Sequence, residues 1–178
     1  MIGEIRDSET AEVAIQSALT GHMVFSTVHT NDAPGAIVRL QEMEVEPFLL
    51  SSAIIGVLAQ RLVRVICEYC KIPEEISPET MRKLEIVPDS ASLAHLWKGE
   101  GCEKCNHTGY KGRSGIFELL VVNEEIKKLI NSRASSGVIK AKAREMGMKT
   151  LREDGWDKIV KGVTSTEEVL RVTVEEHH

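Results

Sequence analysis

Hydrophobic and polar positions follow two different periods along the first thirty residues. Residues 23–28 (MVFSTV) form a short apolar run rich in β-branched and aromatic side chains, which predicts a strand buried on both faces. Between Asp7 and Gly21 the apolar residues recur at spacings of three and four, which predicts a helix that Asp7 caps and Gly21 ends. With a truncated strand expected at the start of the chain, ending at residues 4–7, the pattern is typical of a βαβ unit with two parallel strands.

The following region predicts two helices and an extended segment. Asp32 precedes Pro34, a combination that favours a helix start. Pro47 opens a second helix, whose apolar face is expected to continue to Leu58. Residues 60–66 then alternate polar and apolar side chains, which predicts an extended segment.

The carboxyl-terminal part has the pattern of several amphipathic helices. Helix starts are predicted at four polar positions: Asn123, Ser135 or Ser136, Thr150, and Ser165, which has the capping-box spacing to Glu168. We therefore interpret residues 123–176 as a small helical bundle.

Charge and composition argue against several classes of function. The 22 Lys and Arg residues are scattered and are outnumbered by 27 Asp and Glu, which gives no sign of a nucleic-acid surface. The longest apolar stretch, residues 47–60, is interrupted by two serines and a glycine and is shorter than the roughly 20 residues that a membrane span needs. No secretory signal pattern opens the chain, and the terminal His177-His178 pair is interpreted as the remnant of a purification tag.

Polar residues follow both predicted strands of the βαβ unit. Because the carboxyl ends of parallel strands meet at one sheet edge, Glu4 and Arg6 are expected to approach His29 and Thr30 there. Ligands bind at such edges in open α/β sheets. The alternative is that His29 ends a strand and Asp32 caps the next helix, without any ligand.

The four cysteines occur as two C-x-x-C pairs separated by 31 residues. The pairs are Cys67 with Cys70 and Cys102 with Cys105, a pattern that supplies four thiolates to one tetrahedral zinc ion and suits a reducing compartment. Residues 71–100 offer few large apolar side chains, so the metal is expected to stabilise this region as a structural ion. Two redox pairs or four free thiols are the alternatives.

Two further questions about the cysteine region stay open from the residues alone. His107 could replace one cysteine as a ligand. The region could also be a zinc ribbon that binds nucleic acid, but it has about as many acids as bases and no aromatic stacking face, which favours a protein-docking module.

Three stretches of the chain resemble the ATPases of type II secretion and type IV pilus assembly. These stretches are residues 3–10 (GEIRDSET), 18–22 (ALTGH) and 26–32 (STVHTND), which are similar to the Walker B and histidine boxes of that family. Residues 108–120 (TGYKGRSGIFELL) also resemble the family, at the point where its chain leaves the zinc module.

The resemblance implies a fold class and a division into segments. It implies an α/β fold, namely the remnant of a RecA-like P-loop ATPase core in which helices flank a parallel sheet, with an inserted zinc module and a helical tail. The implied segments are residues 1–66 for the core, 67–105 for the zinc insertion, 106–122 for the return strand, 123–176 for the helical subdomain and 177–178 for the tag. The true domain is expected to begin upstream of residue 1.

The resemblance also implies roles for the residues at the sheet edge. Glu4 would be the Walker B acid that holds Mg²⁺, and His29 would sense or stabilise the γ-phosphate of ATP. Arg6 and Thr30 would contact the nucleotide or its magnesium ion. For Arg6, pairing with Asp7 or Glu9 is the alternative.

The resemblance further suggests that Arg61 and Arg64 reach the phosphates of a neighbouring subunit. The alternative is that both are solvated charges on an edge strand.

Two components of an ATP site do not occur in the sequence. The phosphate loop G-x-x-x-x-G-K-[ST] is absent, and so is the family's aspartate box, so the chain is expected to be inactive alone. The intact protein is expected to be a cytoplasmic hexamer, bound to the inner membrane through secretion or pilus platform proteins. Residues 30–33 and 151–156 favour the secretion branch over pilus extension. A zinc-dependent binding or adaptor module without catalysis is the remaining alternative.

Overall fold

The computed structural model of the protein describes residues 1–84 and 96–173. The predicted tag, residues 177–178, lies outside the described residues. The described helices are α1 (Ser8–Leu19), α2 (Ala33–Glu42), α3 (Pro47–Ala53), α4 (Pro78–Leu84), α5 (Glu124–Asn131), α6 (Ser136–Glu145), α7 (Leu151–Val160) and α8 (Thr166–Thr173). The strands are β1 (Gly56–Ile66), β2 (Lys71–Pro73), β3 (Trp97–Gly99) and β4 (Tyr110–Val121), with β1 paired to β4 and β2 to β3.

The chain divides into two compact units. The first contains residues 1–59 and 118–148, and the second contains the described residues of 60–117 and 149–178. The segments predicted from the sequence divide the chain differently from these two units, and they stay a prediction.

The first unit packs the apolar faces of five helices, α1, α2, α3, α5 and α6, into one core. Helix α1 contributes Ala11, Ala14 and Ile15, as its spacing predicts, and Asp7 caps the helix by accepting the N–H of Thr10 at 2.8 Å. The large apolar side chains of this unit that are fully buried are Ile37 of α2, Leu50 of α3, Leu120 of β4, Ile126 and Ile130 of α5, and Ile139 of α6.

The predicted strand at residues 23–28 is wrong in two respects. The segment is extended, and Phe25 and Thr27 accept backbone hydrogen bonds from Ile2 and Ile5 at 2.9 Å, but it belongs to neither described sheet. Its side chains are also not buried on both faces, because Phe25 is 67% exposed. The helices of the first unit cover only the face that carries the half-buried valines of this segment.

The predicted helix from Pro47 to Leu58 is also wrong in length. It ends at Ala53, and β1 begins at Gly56, four residues before the predicted extended segment. A Cβ at Gly56 would lie 3.2 Å from the carbonyl oxygen of Leu120, so a glycine allows the strands to approach closely there. Leu58 therefore lies on an exposed strand position, at 57% exposure.

The second unit contains the short antiparallel pair of strands β2 and β3 and three described helices, α4, α7 and α8. In the strand pair, Lys71 of β2 lies opposite Gly99 of β3. Helix α7 begins with a capping box in which Thr150 and Glu153 bond each other's backbone N–H groups. Helix α4 begins directly after Ser77, and its Leu84 is fully buried.

The capping box predicted at the start of α8 is only half formed. Ser165 Oγ accepts the N–H of Glu168 at 3.3 Å, but the Glu168 carboxylate is directed to two arginines. Glu168 is fully buried, and its Oε1 lies 2.6 Å from Arg64 Nη2 and 2.8 Å from Arg171 Nε. Arg64 also lies over the Tyr110 ring, 4.1 Å from its centroid, so the interpretation of Arg64 as a solvated edge charge is wrong.

No helix in the described part of the chain combines the length and the apolar content needed to cross a membrane.

Candidate functional site

The predicted convergence of Glu4 and His29 is confirmed in the first unit. Glu4 Oε2 lies 2.6 Å from Arg6 Nη2, and Glu4 Oε1 lies 3.0 Å from His29 Nε2, an ion-pair distance without hydrogen-bond geometry. Backbone pairing explains the approach, because Ile5 donates to Thr27 across the two extended segments. The Glu4 side chain is 21% exposed, whereas that of His29 is 90% exposed.

Arg6 keeps the Glu4 carboxyl group ionised. Its hydrogen bond lowers the pKa of Glu4, and burial opposes this shift more weakly. The alternative pairing of Arg6 with Asp7 or Glu9 is wrong, since Arg6 pairs with Glu4 and Asp7 caps α1. An ionised carboxylate at the end of an extended segment is a suitable ligand for a hard cation such as Mg²⁺.

The residues that follow His29 are held against the start of α2. Asp32 caps this helix, as predicted, by accepting the Gly35 N–H at 2.9 Å. Thr30 is half-buried and donates from Oγ1 to the Asp32 carbonyl at 3.0 Å. Thr30 and Arg6 therefore lie at the same edge as Glu4, while their contacts with a nucleotide stay predictions.

The second candidate site is the four-cysteine cluster of the second unit. The sulfurs of all four cysteines lie within 4.8 Å of one another. The Sγ–Sγ distance is 3.9 Å for Cys67 with Cys102 and 3.8 Å for Cys102 with Cys105. A tetrahedron with zinc–sulfur bonds of about 2.3 Å has edges of about 3.8 Å, so the spacing fits one zinc ion.

The geometry also bears on the alternatives for these cysteines. Each C-x-x-C pair faces the other, which does not suit two independent redox pairs, and the distances are far longer than the roughly 2.05 Å of a disulfide. His107 is exposed and does not belong to the cluster of possible ligands in the described residues.

Backbone N–H groups favour an anionic sulfur at Cys105. Burial raises the pKa of this thiol, but hydrogen bonds from the N–H groups of Cys102 and Gly109, together with those from the Cys102 and Cys70 thiols, bring the pKa to about 6. At Cys70, burial raises the pKa to about 12, although the Gly101 N–H donates to its sulfur at 3.3 Å. Donors directed at sulfur are what a thiolate ligand requires.

Two glycines let the cysteine pairs meet. A Cβ at Gly99 would lie 1.9 Å from the carbonyl oxygen of Gly109, which forbids any side chain at that position. Gly109 has a φ of 77°, and its carbonyl oxygen accepts the Cys67 N–H at 2.9 Å. The backbones of Gly99 and Gly109 thus cross in close contact. This crossing brings the two C-x-x-C pairs together.

Three functional candidates were missed by reasoning from the sequence. Glu118 is buried in the first unit and bonds the start of α2, and Lys140 contacts Asp32 there. Glu168 is buried in the second unit. A usable signal existed only for Glu118, because it interrupts the apolar positions of a strand.

The chain matches one family profile and is similar in sequence to several known proteins. The sequence profile described as "Type II/IV secretion system protein" matches residues 1–171. The type IV pilus assembly ATPase PilB of Thermus thermophilus is 57% identical over 175 residues, which cover 98% of this chain and 20% of that protein. The type II secretion system ATPase E of Vibrio cholerae is 51% identical over 175 residues, covering 98% and 34% respectively.

Solved structures show the same fold at lower identity. A crystal structure of the pilus retraction motor PilT with bound ADP aligns with a TM-score of 0.63 at 23% identity, covering 98% of this chain and 39% of that one. The Legionella pneumophila ATPase DotB aligns with a TM-score of 0.59 at 18% identity, covering 96% and 37%. The α/β fold is therefore similar to that of these ATPases.

The chain spans about a fifth to a third of the length of the curated relatives it matches. The profile match nevertheless extends over almost all of this chain. The chain therefore belongs to the family of type II/IV secretion system proteins.

Proposed function

We propose that this chain is part of a ring-forming cytoplasmic ATPase that converts ATP hydrolysis into mechanical work for type II secretion. The observation that carries the proposal is the Glu4–His29 approach of 3.0 Å, in a chain of this family, at the edge where a nucleotide would bind. Its fold is then the remnant of a RecA-like core with a zinc insertion and a helical tail. Its partners are copies of itself in a hexamer and inner-membrane secretion platform proteins.

Each edge residue has a chemical role in this proposal. Glu4 holds Mg²⁺, directly or through water, because a single ionised carboxylate is enough beside phosphate oxygens. His29 donates a hydrogen bond to the γ-phosphate region, where charge develops during phosphoryl transfer. Arg6 and Thr30 offer further donors to the nucleotide. In this structure, Glu4 holds the Arg6 guanidinium and the His29 ring together at the edge.

The four cysteines are proposed to hold one structural zinc ion. The four sulfurs would complete the tetrahedral coordination of one zinc ion and leave no ligand position for a substrate. They belong to Cys67, Cys70, Cys102 and Cys105. Zinc then supplies a crosslink and no catalytic chemistry. This role suits a region whose described β-structure, β2 and β3, is only three residues per strand.

The catalytic proposal is tested by two substitutions in the full-length protein that contains this sequence. Glu4→Gln removes the charge that holds Mg²⁺, and His29→Ala removes the γ-phosphate donor. Each is expected to lower ATP turnover at least about tenfold, which is about 1.4 kcal/mol of barrier, while nucleotide binding is better preserved.

Two matched controls accompany these variants. Glu12→Gln changes an exposed acid of α1, and His107→Ala changes an exposed histidine of the second unit. Both controls should retain turnover. Glu4→Gln and His29→Ala enzymes that stay within about twofold of wild type would contradict the assigned roles.

A second candidate is the motor for type IV pilus extension. The specific observation in its favour is the 57% identity to the pilus assembly ATPase PilB, compared with 51% to the type II ATPase of Vibrio cholerae. Deletion of the gene in its own host separates the two, because loss of exported proteins supports secretion and loss of surface pili supports extension. If neither changes and no ATP is hydrolysed, a zinc-dependent adaptor without catalysis is the better description.

A further inference from the structure

Two side chains from distant parts of the first unit hold the segment that follows His29. Glu118 of β4 is only 1% exposed, and its Oε1 accepts the backbone N–H of Ala33 at 2.9 Å. Lys140 of α6 places its Nζ 3.0 Å from Asp32 Oδ2. These contacts connect the start of α2 to residues 85 and 108 positions away in the chain.

The segment is also fixed by its own residues. Asp32 Oδ1 caps α2 through the Gly35 N–H, and Thr30 Oγ1 donates to the Asp32 carbonyl. A Cβ at Gly35 would lie 2.8 Å from Asp32 Oδ1, so a glycine is needed for this close cap. The backbone after His29 is thus held on several sides, while the imidazole itself is 90% exposed.

Neither distant contact is required to build the helix or the core. Asp32 already accepts from the first turn of α2, which is the usual cap of a helix. The next inward position of β4 in the first unit, Leu120, is apolar and fully buried, so packing of the core does not by itself call for a charged residue at 118. Burial of a carboxyl group costs free energy unless the group is hydrogen-bonded. We therefore attribute the presence of Glu118 to its hydrogen bond with the Ala33 N–H at the start of α2.

We propose that Glu118 and Lys140 are positioning residues that fix residues 29–32, so that the His29 imidazole stays beside Glu4 at the nucleotide edge. The inference rests on the proposed function, because it assigns a reason for the placement of His29. Both residues act through the segment and do not touch the nucleotide. They should therefore affect the rate of the chemical step more than the binding of ATP, since misplacing a catalytic group by about 1 Å can cost on the order of 100-fold.

The decisive variant is Lys140→Met in the full-length protein. Removal of one of several restraints is expected to lower kcat for ATP hydrolysis about fivefold, with KM for ATP within about twofold. Lys140→Arg keeps the cation and should recover at least about half of the wild-type kcat. Lys142→Met is the matched control, because Lys142 lies on the same helix and pairs with the exposed Glu145 at 2.9 Å.

A double substitution separates positioning from general stability. In a His29→Ala background, Lys140→Met should add less than about a twofold loss in kcat, because Lys140 acts through His29. Losses that multiply fully would overturn the inference, and so would a kcat of Lys140→Met equal to wild type while His29→Ala is impaired. If His29→Ala itself keeps wild-type turnover, the proposed role of His29 fails, and the inference fails with it.

Glu118 is tested on the chain itself by hydrogen exchange. Glu118→Leu removes the acceptor for the Ala33 N–H and should speed exchange of that amide about tenfold or more, whereas Glu118→Gln keeps an acceptor oxygen and should change it less than about threefold. Equal exchange in the two variants would overturn the role of Glu118. If the leucine variant does not fold, Ala33 exchange in the Gln variant as fast as in the unfolded chain would overturn the same role.

Discussion

The four-cysteine cluster and the Glu4–His29 edge differ in how much of each site the chain supplies. The cluster brings four sulfurs within 4.8 Å of one another and directs backbone N–H groups at two of them. The edge supplies one ionised carboxylate, an exposed histidine and an arginine. A structural metal site can be completed by two local turns, whereas a triphosphate site needs a phosphate-binding loop that this sequence does not contain.

The largest expected effect tests the completeness of the cysteine cluster. The chain should contain about one zinc per molecule, and Cys102→Ser should release it, because three thiolates bind the ion less tightly than a closed set of four. Elemental analysis measures the ratio, and hydrogen exchange should show loss of protection in the second unit with the first unit retained. His107→Ala is the control and should keep its zinc, and metal-free wild-type protein purified without chelators would refute the prediction.

The next largest effect concerns a contact that stabilises the second unit independently of the metal. Glu168→Ala leaves Arg64 and Arg171 without their buried partner, which is expected to destabilise the protein by about 3–5 kcal/mol in urea unfolding. Glu167→Ala, at the exposed neighbouring position, should change stability by less than about 0.5 kcal/mol. Equal losses of stability in the two variants would contradict the stabilising role of the buried Glu168 and its two arginine partners.

Acid should weaken the same contact over a defined range. Burial raises the pKa of Glu168, but hydrogen bonds from Arg171 and Arg64 outweigh burial and bring it from 4.5 to about 2. A lowered pKa means that this stabilisation is present above about pH 4.5 and is lost as the pH falls towards 2, with a total of about 3 kcal/mol.

The measurement is the free energy of unfolding of wild type relative to Glu168→Gln between pH 6 and 2. The glutamine variant lacks the titrating group and cancels the acid sensitivity of the cysteine thiolates. A difference between the two proteins that stays constant over this range would show that Glu168 does not titrate as described.

The smallest effect is expected for the binding of Mg-ATP to this chain by itself, at the edge that carries Glu4 and His29. Titration calorimetry with Mg-ATP should give a dissociation constant weaker than about 10 μM, because the sequence has no glycine-rich phosphate loop with its lysine to cradle the phosphates. Glu4, Asp7 and Glu9 also carry like charge to the triphosphate. Tighter binding would mean that the phosphate site lies in a segment interpreted here as structural.

Much of the local structure could be predicted from the sequence. Capping residues such as Asp7, Asp32, Asn123 and Thr150 mark real helix starts, because the cap is formed by residues three positions apart. The cysteine cluster was predictable for the same reason, since each pair closes one turn.

Features that depend on distant residues were not predictable. Helix α3 ends early because the backbone at Gly56 packs against Leu120, far along the chain. The contacts of Glu118 with Ala33 and of Glu168 with Arg64 join residues 85 and 104 positions apart. A single sequence carries no spacing signal for such pairs, and capping-box spacing gave the wrong partner for Glu168.

The crossing of Gly99 and Gly109 has a consequence for how related chains are interpreted. Even an alanine at either position would force apart backbones that the metal site needs in contact, with a clash of 1.9 Å at Gly99 and 2.5 Å at Gly109. A relative could therefore keep all four cysteines and still be unable to bring them around one ion. A search pattern for this type of site should include both glycines along with the cysteines.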